Sequence, residues 1–412
     1  ALTQKDLFPD RMREIGRSAV LFQSKFPDVG VVPCGIKKLI FRILGFVPVS
    51  FALAILKKEW GWYAKSKRYF LQGVKRGLVP VNKVLIIGSY GAGNIGDEAI
   101  LDVILAKIPS YVQKEVFSGN LADTRRRQKN VDAVYSHLPF GVRSFLRFNW
   151  LKSFKALRST DLVLVGGGGL FTDGYSFKAV ALWYWHVWWA RFFGKRIVLF
   201  ANSVGPFRTK MAARLTKKAL KRCDQIIVRD EMSADVVKEL MGKRPYVGCD
   251  VVFLKDVAVE ARRQKVVVVN LRPWDADFDE VKMLIEDIRK DGYRVKFVAM
   301  EPMDKELMAD FSDDVVLPAN FDELCEILCG CEIAIGMRLH FLIAAALCGV
   351  KMGGISYGLK VTAILKELEV PFLAVEDLEY EYLKKLYSRV VDARHVDILK
   401  RHAEKMFDKL NI

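Results

Sequence analysis

From Val81 onward the chain alternates short apolar runs with stretches of helical period, and few folds satisfy such a pattern. The runs at 83–88, 115–119, 131–136, 161–169, 195–202 and 224–230 read as strands, and the stretches 97–108 and 209–223 between them read as helices. Strands separated by helices imply a parallel sheet covered on both faces. Residues 255–265 are charged and without period, as a linker would be. The alternation then restarts, with strands expected at 265–273, 293–300, 314–318, 331–336, 350–356 and 372–375. An amphipathic helix is expected over 395–412. A chain of 412 residues exceeds one ordinary core. The expected class is therefore α/β, with two doubly wound domains, 81–258 and 264–376, facing one cleft, and helices over 377–412.

Residues 1–80 read differently. They hold 15 Lys and Arg against 5 Asp and Glu, so most of the net charge of +17 lies in about a fifth of the chain. Residues 39–56 are almost wholly apolar, interrupted by Arg42, Gly45 and Pro48. A straight helix of that length would measure about 27 Å, the lower edge for crossing a bilayer. Lysines flank it on both sides, and residues 57–77 mix Trp60, Trp62, Tyr63, Tyr69 and Phe70 with basic residues. Aromatics beside lysines mark a bilayer interface. The reading is a helical extension that associates with a membrane surface through residues 37–79; the alternative is a helical hairpin packed on the main domain. Basic charge beside a long apolar run argues against nucleic acid. Residues 1–30 lack the apolar core of a secretory leader, so none is expected. The seven cysteines have no paired metal-ligand spacing and read as free thiols in a reducing compartment, with no metal site.

Chemistry concentrates in a few places. GMRLH (336–340) follows one apolar run and precedes a helical one, so Arg338 and His340 sit where a strand ends and a helix begins. In open α/β sheets ligands bind at that edge. The helix N-terminus and the arginine suit an anion, and the histidine can carry a proton near neutral pH. Arg272 in NLRPW and Lys360 in ISYGLKV fall at the same edge of the same sheet if the strands are right, and Arg229 ends a strand of the first domain. The loop GSYGAGNIGDEA (88–99) matches a dinucleotide fingerprint literally, through Gly91, Gly93 and Gly96. Two observations oppose that reading. The next strand ends VFSGN with no carboxylate for a ribose, and Asp97 and Glu98 would repel a pyrophosphate. A carboxylate at position 97 suits either a helix cap or a sugar hydroxyl. Gly166 to Gly169, followed by Asp173, is either a tight turn or a place where a ligand approaches the backbone. LWYWHVWWARFF (182–193) holds four of the eight tryptophans, more than one buried face needs; His186 within it reads as a packed histidine.

Seven of these pieces, in order, resemble the polysaccharide pyruvyl transferase family: GSYGAGNIGDEA, GGGGLFTD, NSVGPF, RDEMS, NLRPW, GMRLH and ISYGLKV, spanning about residues 83–365. NSVGPF departs from the family's more usual GQGIGP-type segment, and residues 1–80 fall outside the match. The resemblance implies two Rossmann-like domains of GT-B-like arrangement. It implies transfer of a pyruvyl group from phosphoenolpyruvate to a sugar as a cyclic ketal, with release of phosphate. Arg338, Leu339, Lys360, Arg272 and Arg229 would bind the donor, with His340 and Arg338 catalytic and His340 the acid/base. The first domain would face the acceptor, with Gly93, Asn94, Asp97, Glu98, Gly167, Gly168 and Asp173 as acceptor-binding or loop positions.

The donor's chemistry agrees, because phosphoenolpyruvate carries a carboxylate and a phosphate and needs at least two cationic partners. No cofactor is required beyond phosphoenolpyruvate as co-substrate. With the N-terminal reading, the acceptor is expected to be a glycan or lipid-linked sugar of a cell-envelope precursor. The protein is then expected to be cytoplasmic, peripheral or monotopic at the inner face of the cell membrane. Two other functions fit the same sequence: a GT-B-type glycosyltransferase using a sugar nucleotide, and a non-catalytic membrane scaffold.

Overall fold

The computed structural model describes residues 15, 67, 81–146, 150–174, 176–258, 263–312, 314–386, 391–410 and 412. The expectations for the extension 1–80 and its membrane-facing stretch therefore lie outside the described residues. Among the described residues no helix is long and apolar enough to cross a membrane.

The first sheet contains β1 (Lys83–Ile87), β2 (Gln113–Ser118), β3 (Ala133–Ser136), β4 (Leu162–Phe171), β5 (Arg196–Val204), β6 (Gln225–Val228) and β7 (Tyr246–Val247). Their order is β3-β2-β1-β4-β5-β6-β7 and every pairing is parallel. The second contains β8 (Gln264–Asn270), β9 (Arg294–Val298), β10 (Val315–Val316), β11 (Cys331–Gly336), β12 (Lys351–Ser356) and β13 (Phe372–Ala374). It is also parallel, in the order β10-β9-β8-β11-β12-β13. The expected strands are present, and two-residue β7 is the addition. The glycine run differs from the reading of a loop after a strand: it stays inside β4, and the register shifts between Gly168 and Phe171 instead.

Each sheet reverses its winding once, at β1/β4 and at β8/β11. Ligands of open sheets bind in the crevice outside such a switch point. The segments leaving β1, β8 and β11 carry the first glycine loop, NLRPW and GMRLH, and the glycine run lies within the last part of β4. Topology alone brings four of the seven motifs to two such crevices.

The helices used below are α1 (Ile95–Lys107), α2 (Trp150–Ser159), α3 (Phe177–Phe192), α4 (Lys210–Leu220), α5 (Glu231–Met241), α6 (Pro302–Met308), α7 (Leu339–Leu347), α8 (Leu359–Glu367) and α9 (Ala393–Asp408). Helices α2 to α5 cover one face of the first sheet, where Leu157, Val180, Val187, Ala219 and Val237 pack on Leu85, Val163 and Leu199. Phe200 points to the opposite face and meets Phe407 of α9 at 4.9 Å between ring centroids. The second core is built around Val267, Val269, Phe297, Ile335 and Ile355, closed by Leu383 and Leu386.

The terminal helix thus leaves the second sheet and packs on the first. Met406 is wholly buried and lies where a side chain at Gly248 would have to go. Its sulfur also accepts a hydrogen bond from the Cys249 N–H at 3.4 Å. Met406→Ala removes the key of that contact. It is expected to cost about 2–5 kcal/mol, read as a lower urea midpoint with the fold's circular dichroism retained.

Candidate active site

The first glycine loop is closed to anions by its own side chains. Asn94 caps α1, its Oδ1 accepting from Gly96 N at 2.9 Å and Asp97 N at 3.2 Å. Glu98 turns back, and its Oε1 accepts from Gly91 N at 2.6 Å. The N–H groups that would cradle a pyrophosphate are already bonded. This also decides between the two readings of Asp97: the cap is Asn94, and the Asp97 carboxylate is left to face the cleft.

Gly168 shows where that carboxylate lies. A side chain there would come within 2.6 Å of Asp97 Oδ1, and its φ of +76° already favours glycine. Gly167, at φ +77°, is similarly crowded by Ile100. Burial lifts the Asp97 carboxyl to about 6, although the charges of His340 and Arg229 pull it down. Gly93 is an exposed turn residue.

His340 reaches across from the second domain. A side chain at Gly96 would overlap the His340 ring, so this glycine is what lets the imidazole lie against α1. His340 Nε2 stands 3.4 Å from Asp250 Oδ2. The same Asp250 oxygen accepts from Arg229 Nη1 at 2.7 Å, and Arg229 Nε donates to Ser203 Oγ at 2.7 Å. Burial by itself would raise the Asp250 carboxyl, but His340 and Arg229 outweigh it and hold the group well below the ordinary carboxylate range. Arg229 is thus anchored by Asp250 and Ser203 where its donor-side role was expected.

Lys360 also crosses the cleft. Its Nζ would lie 3.0 Å from a side-chain carbon at Gly169. Burial, with the like charge of Arg229, lowers its ammonium to about 8 against the opposing pull of Asp230 and Asp97. Lys360 forms no hydrogen bond or ion pair with the described residues. The helix it begins, α8, has no side-chain cap, and neither has α7 at Arg338. By contrast α1, α3, α4 and α5 of the first domain are each capped by a side chain. Open helix N-termini attract anions, so positive potential collects on the second domain's side of the cleft.

Arg338 departs from the expected two-pronged clamp. Its Nε donates to Asp304 Oδ2 at 3.0 Å, and its Nη2 to Asp304 Oδ1 at 2.5 Å and Glu301 Oε2 at 2.7 Å. Only 8% of it is exposed. The other Glu301 oxygen accepts from Asn94 Nδ2 at 2.7 Å, so the pair is tied to the first domain. Leu339 contributes the first residue of α7. Arg272 follows β8 as expected, yet lies over Tyr357 at 4.3 Å and Trp274 at 5.4 Å to the ring centroids. Asp173 is also engaged within the protein. Its carboxylate accepts from Arg208 N at 2.7 Å and from Thr209 N and Oγ1 at 2.9 and 2.7 Å. It pins the chain entering α4.

Four carboxylate or hydroxyl groups were not foreseen: Asp250, Glu301, Asp304 and Ser203. Glu301 and Asp304 had a readable signal, since Glu-Pro-x-Asp before a helix is a capping-box pattern, and both reciprocal bonds are present. Asp250 follows a strand of only two residues, too short to betray a sheet edge.

Residues 94–358 match the family model described as polysaccharide pyruvyl transferase, which covers well over half of the chain. The chain belongs to the polysaccharide pyruvyl transferase family. It is a transferase of glycan biosynthesis. The amylovoran biosynthesis protein AmsJ of Erwinia amylovora is 23% identical, over 71% of this chain and 87% of that protein. Among solved structures, HepE of Anabaena in complex with UDP-glucose superposes with a TM-score of 0.51 at 14% identity, covering 79% of this chain and 94% of that one. The UDP-GlcNAc 2-epimerase of Methanocaldococcus jannaschii gives a TM-score of 0.51 at 12% identity, covering 80% and 99%. Those two likenesses are of fold, and they agree with the GT-B-like arrangement.

In this pyruvyl transferase the Arg338–Asp304 pair is testable apart from catalysis. Asp304→Ala leaves a buried guanidinium without its main partner and uncaps α6. The expected cost is about 3–5 kcal/mol, seen as a lower denaturation midpoint. Gly96→Ala is expected to leave the midpoint nearer to wild type while displacing the His340 ring, visible as a shifted imidazole resonance in NMR.

Proposed function

We propose that the protein transfers the pyruvyl group of phosphoenolpyruvate to two hydroxyls of one sugar, releasing phosphate. The carrying observation is Lys360: a partly buried ammonium without an ion-pair partner among the described residues, in the first turn of the uncapped α8, close to Gly169 and within the field of Asp97, on which His340 also acts. A dianionic donor satisfies the ammonium and that helix N-terminus at once. Phosphate and carboxylate would take Lys360 and the N–H groups of α7 and α8. Arg338 would add field from its anchored position, and Arg272 would flank the site over Tyr357.

His340 then stands between donor and acceptor. Protonation of the methylene carbon leaves positive character on the carbon bearing carboxylate and phosphate. A sugar hydroxyl attacks that carbon, the phosphate leaves, and a second hydroxyl closes the ring. Of the two hydroxyl protons, one ends on the new methyl group and the other with the phosphate. His340 is suited to deliver the first, with Asp250 stabilising the imidazolium. Asp97 lies on the acceptor side, where a carboxylate near neutrality can accept a hydroxyl proton. The sugar is proposed to belong to a lipid-linked cell-envelope precursor, which the basic and apolar residues 37–79 support.

The direct test is incubation with phosphoenolpyruvate and a panel of lipid-linked and free sugars, following phosphate and acceptor mass. An acceptor gaining a pyruvate ketal is expected, and His340→Ala should lower kcat by about 10²–10⁴-fold. Absence of acceptor-dependent phosphate release across the panel defeats the reading. The pH profile provides a second check. Asp97 is charged above about 6 and Lys360 below about 8, so kcat/KM should peak between those values. Asp97→Asn should remove the acid limb, and Lys360→Gln the alkaline one.

A further inference from the structure

The charge of the described chain is distributed unevenly. Residues 137–160 carry five Lys and Arg, and residues 174–223 carry eleven, with no Asp or Glu in either stretch. These stretches supply α2, α3 and α4, the helix layer on one face of the first sheet. The carboxylates that border them are occupied. Asp161 accepts from Lys83 N, Asp173 holds the entry to α4, and Asp224 accepts from Ile197 N and pairs with Arg191 at 3.4 Å.

The outer surface of this layer is aromatic. Phe145 stacks on Trp150 at 5.0 Å, Trp150 meets Phe154 at 5.4 Å, and Phe154 meets Trp189 at 4.7 Å. Trp189 meets Phe192 at 5.3 Å, and Phe192 stacks on Trp188 at 5.5 Å. The result is a continuous ladder of rings running from the short helix Val142–Leu146 across α2 to α3, with Phe192 66% exposed and, on α2, Leu151 55% exposed. Lys152, Lys155 and Arg158 of α2 are exposed next to the ladder. An isolated aromatic stripe would be ordinary packing. Here Phe154 and Trp189 pack against the core of Trp183, Val187 and Ala190, while Phe145 and Phe192 stand exposed at the two ends of the ladder.

We propose that the outer face of α2 and α3 is a docking surface for an anionic lipid bilayer, separate from residues 37–79. Charge selects this occupant. A second copy would present the same basic face and is repelled. An anionic headgroup layer attracts it, while tryptophan and phenylalanine settle at the headgroup boundary and lysines reach back to the phosphates. Helices α3 and α4 both follow strands, so their first turns lie at the carboxyl edge of the sheet, on the side of the active site. Phe177 and Met211, exposed in those turns, extend the apolar surface toward that edge.

The test uses the full chain with Trp60→Phe and Trp62→Phe, so that tryptophan emission comes from the catalytic domains. It is titrated with phosphatidylglycerol or phosphatidylcholine vesicles carrying brominated acyl chains. Quenching by the anionic vesicles and little by the neutral ones is expected. Leu151→Glu with Phe192→Glu should abolish it, and Lys152→Glu with Lys155→Glu should weaken partition about tenfold or more. Unchanged thermal midpoints for both pairs show that these exposed substitutions leave the fold intact. Absence of quenching by anionic vesicles overturns the proposal, as does quenching indifferent to both pairs. It is equally overturned if deleting residues 1–80 shifts the emission without lipid, which would make the extension the occupant, or if light scattering shows the two pairs dissolving a dimer. No donor or sugar enters this measurement, so its outcome is independent of the catalytic reading.

Discussion

Asp250 faces two basic side chains that belong to different sheets. Arg229 ends a strand of the first and His340 begins a helix of the second, and one carboxylate oxygen faces both. Remove that charge and the buried arginine loses its partner while the imidazole loses its orienting group. The surrounding geometry serves this junction. Gly96 makes room for the ring, Ser203 fixes the other edge of the guanidinium, and the parallel sheets deliver both residues to the same side. The junction also explains an asymmetry of the cleft. Asp97 and Asp250 lie on the first domain's side and Lys360 on the second, where Glu301 and Asp304 are taken up by Arg338.

Arg338 shows how a motif can be placed from sequence while its partners are not. Its position at the end of β11 was evident from the apolar run before it. Its two partners were not, because Glu301 and Asp304 lie more than thirty residues earlier, after β9. Burial pushes the Asp304 carboxyl up despite the guanidinium against it, so this pair carries a real desolvation cost. Such a pair serves geometry: it sets the turn from which Leu339 and His340 enter α7.

Much of the architecture was legible because strand and helix periods are local properties. Two sheets, their approximate strand bounds, and the gathering of Arg272, Arg338, His340 and Lys360 after β8, β11 and β12 followed from hydrophobic runs alone. What escaped was the partner of each charged group, which depends on strand order rather than on spacing. Asp173 and Asp97 are both carboxylates beside glycine loops, yet one closes a turn and the other faces the cleft. Nothing within ten residues of either separates them. The glycine run misled for a related reason, since Gly167 and Gly168 permit a positive φ without leaving the strand.

Helix α9 adds a constraint of another kind. The chain passes from the first sheet to the second between Leu254 and Gln264, and returns between Leu386 and Ala393 to lodge Met406 against Gly248. The face of the first sheet opposite α2 to α5 is therefore closed by a helix that the chain supplies only after the second sheet is complete, so the first core is not built from one contiguous stretch of sequence.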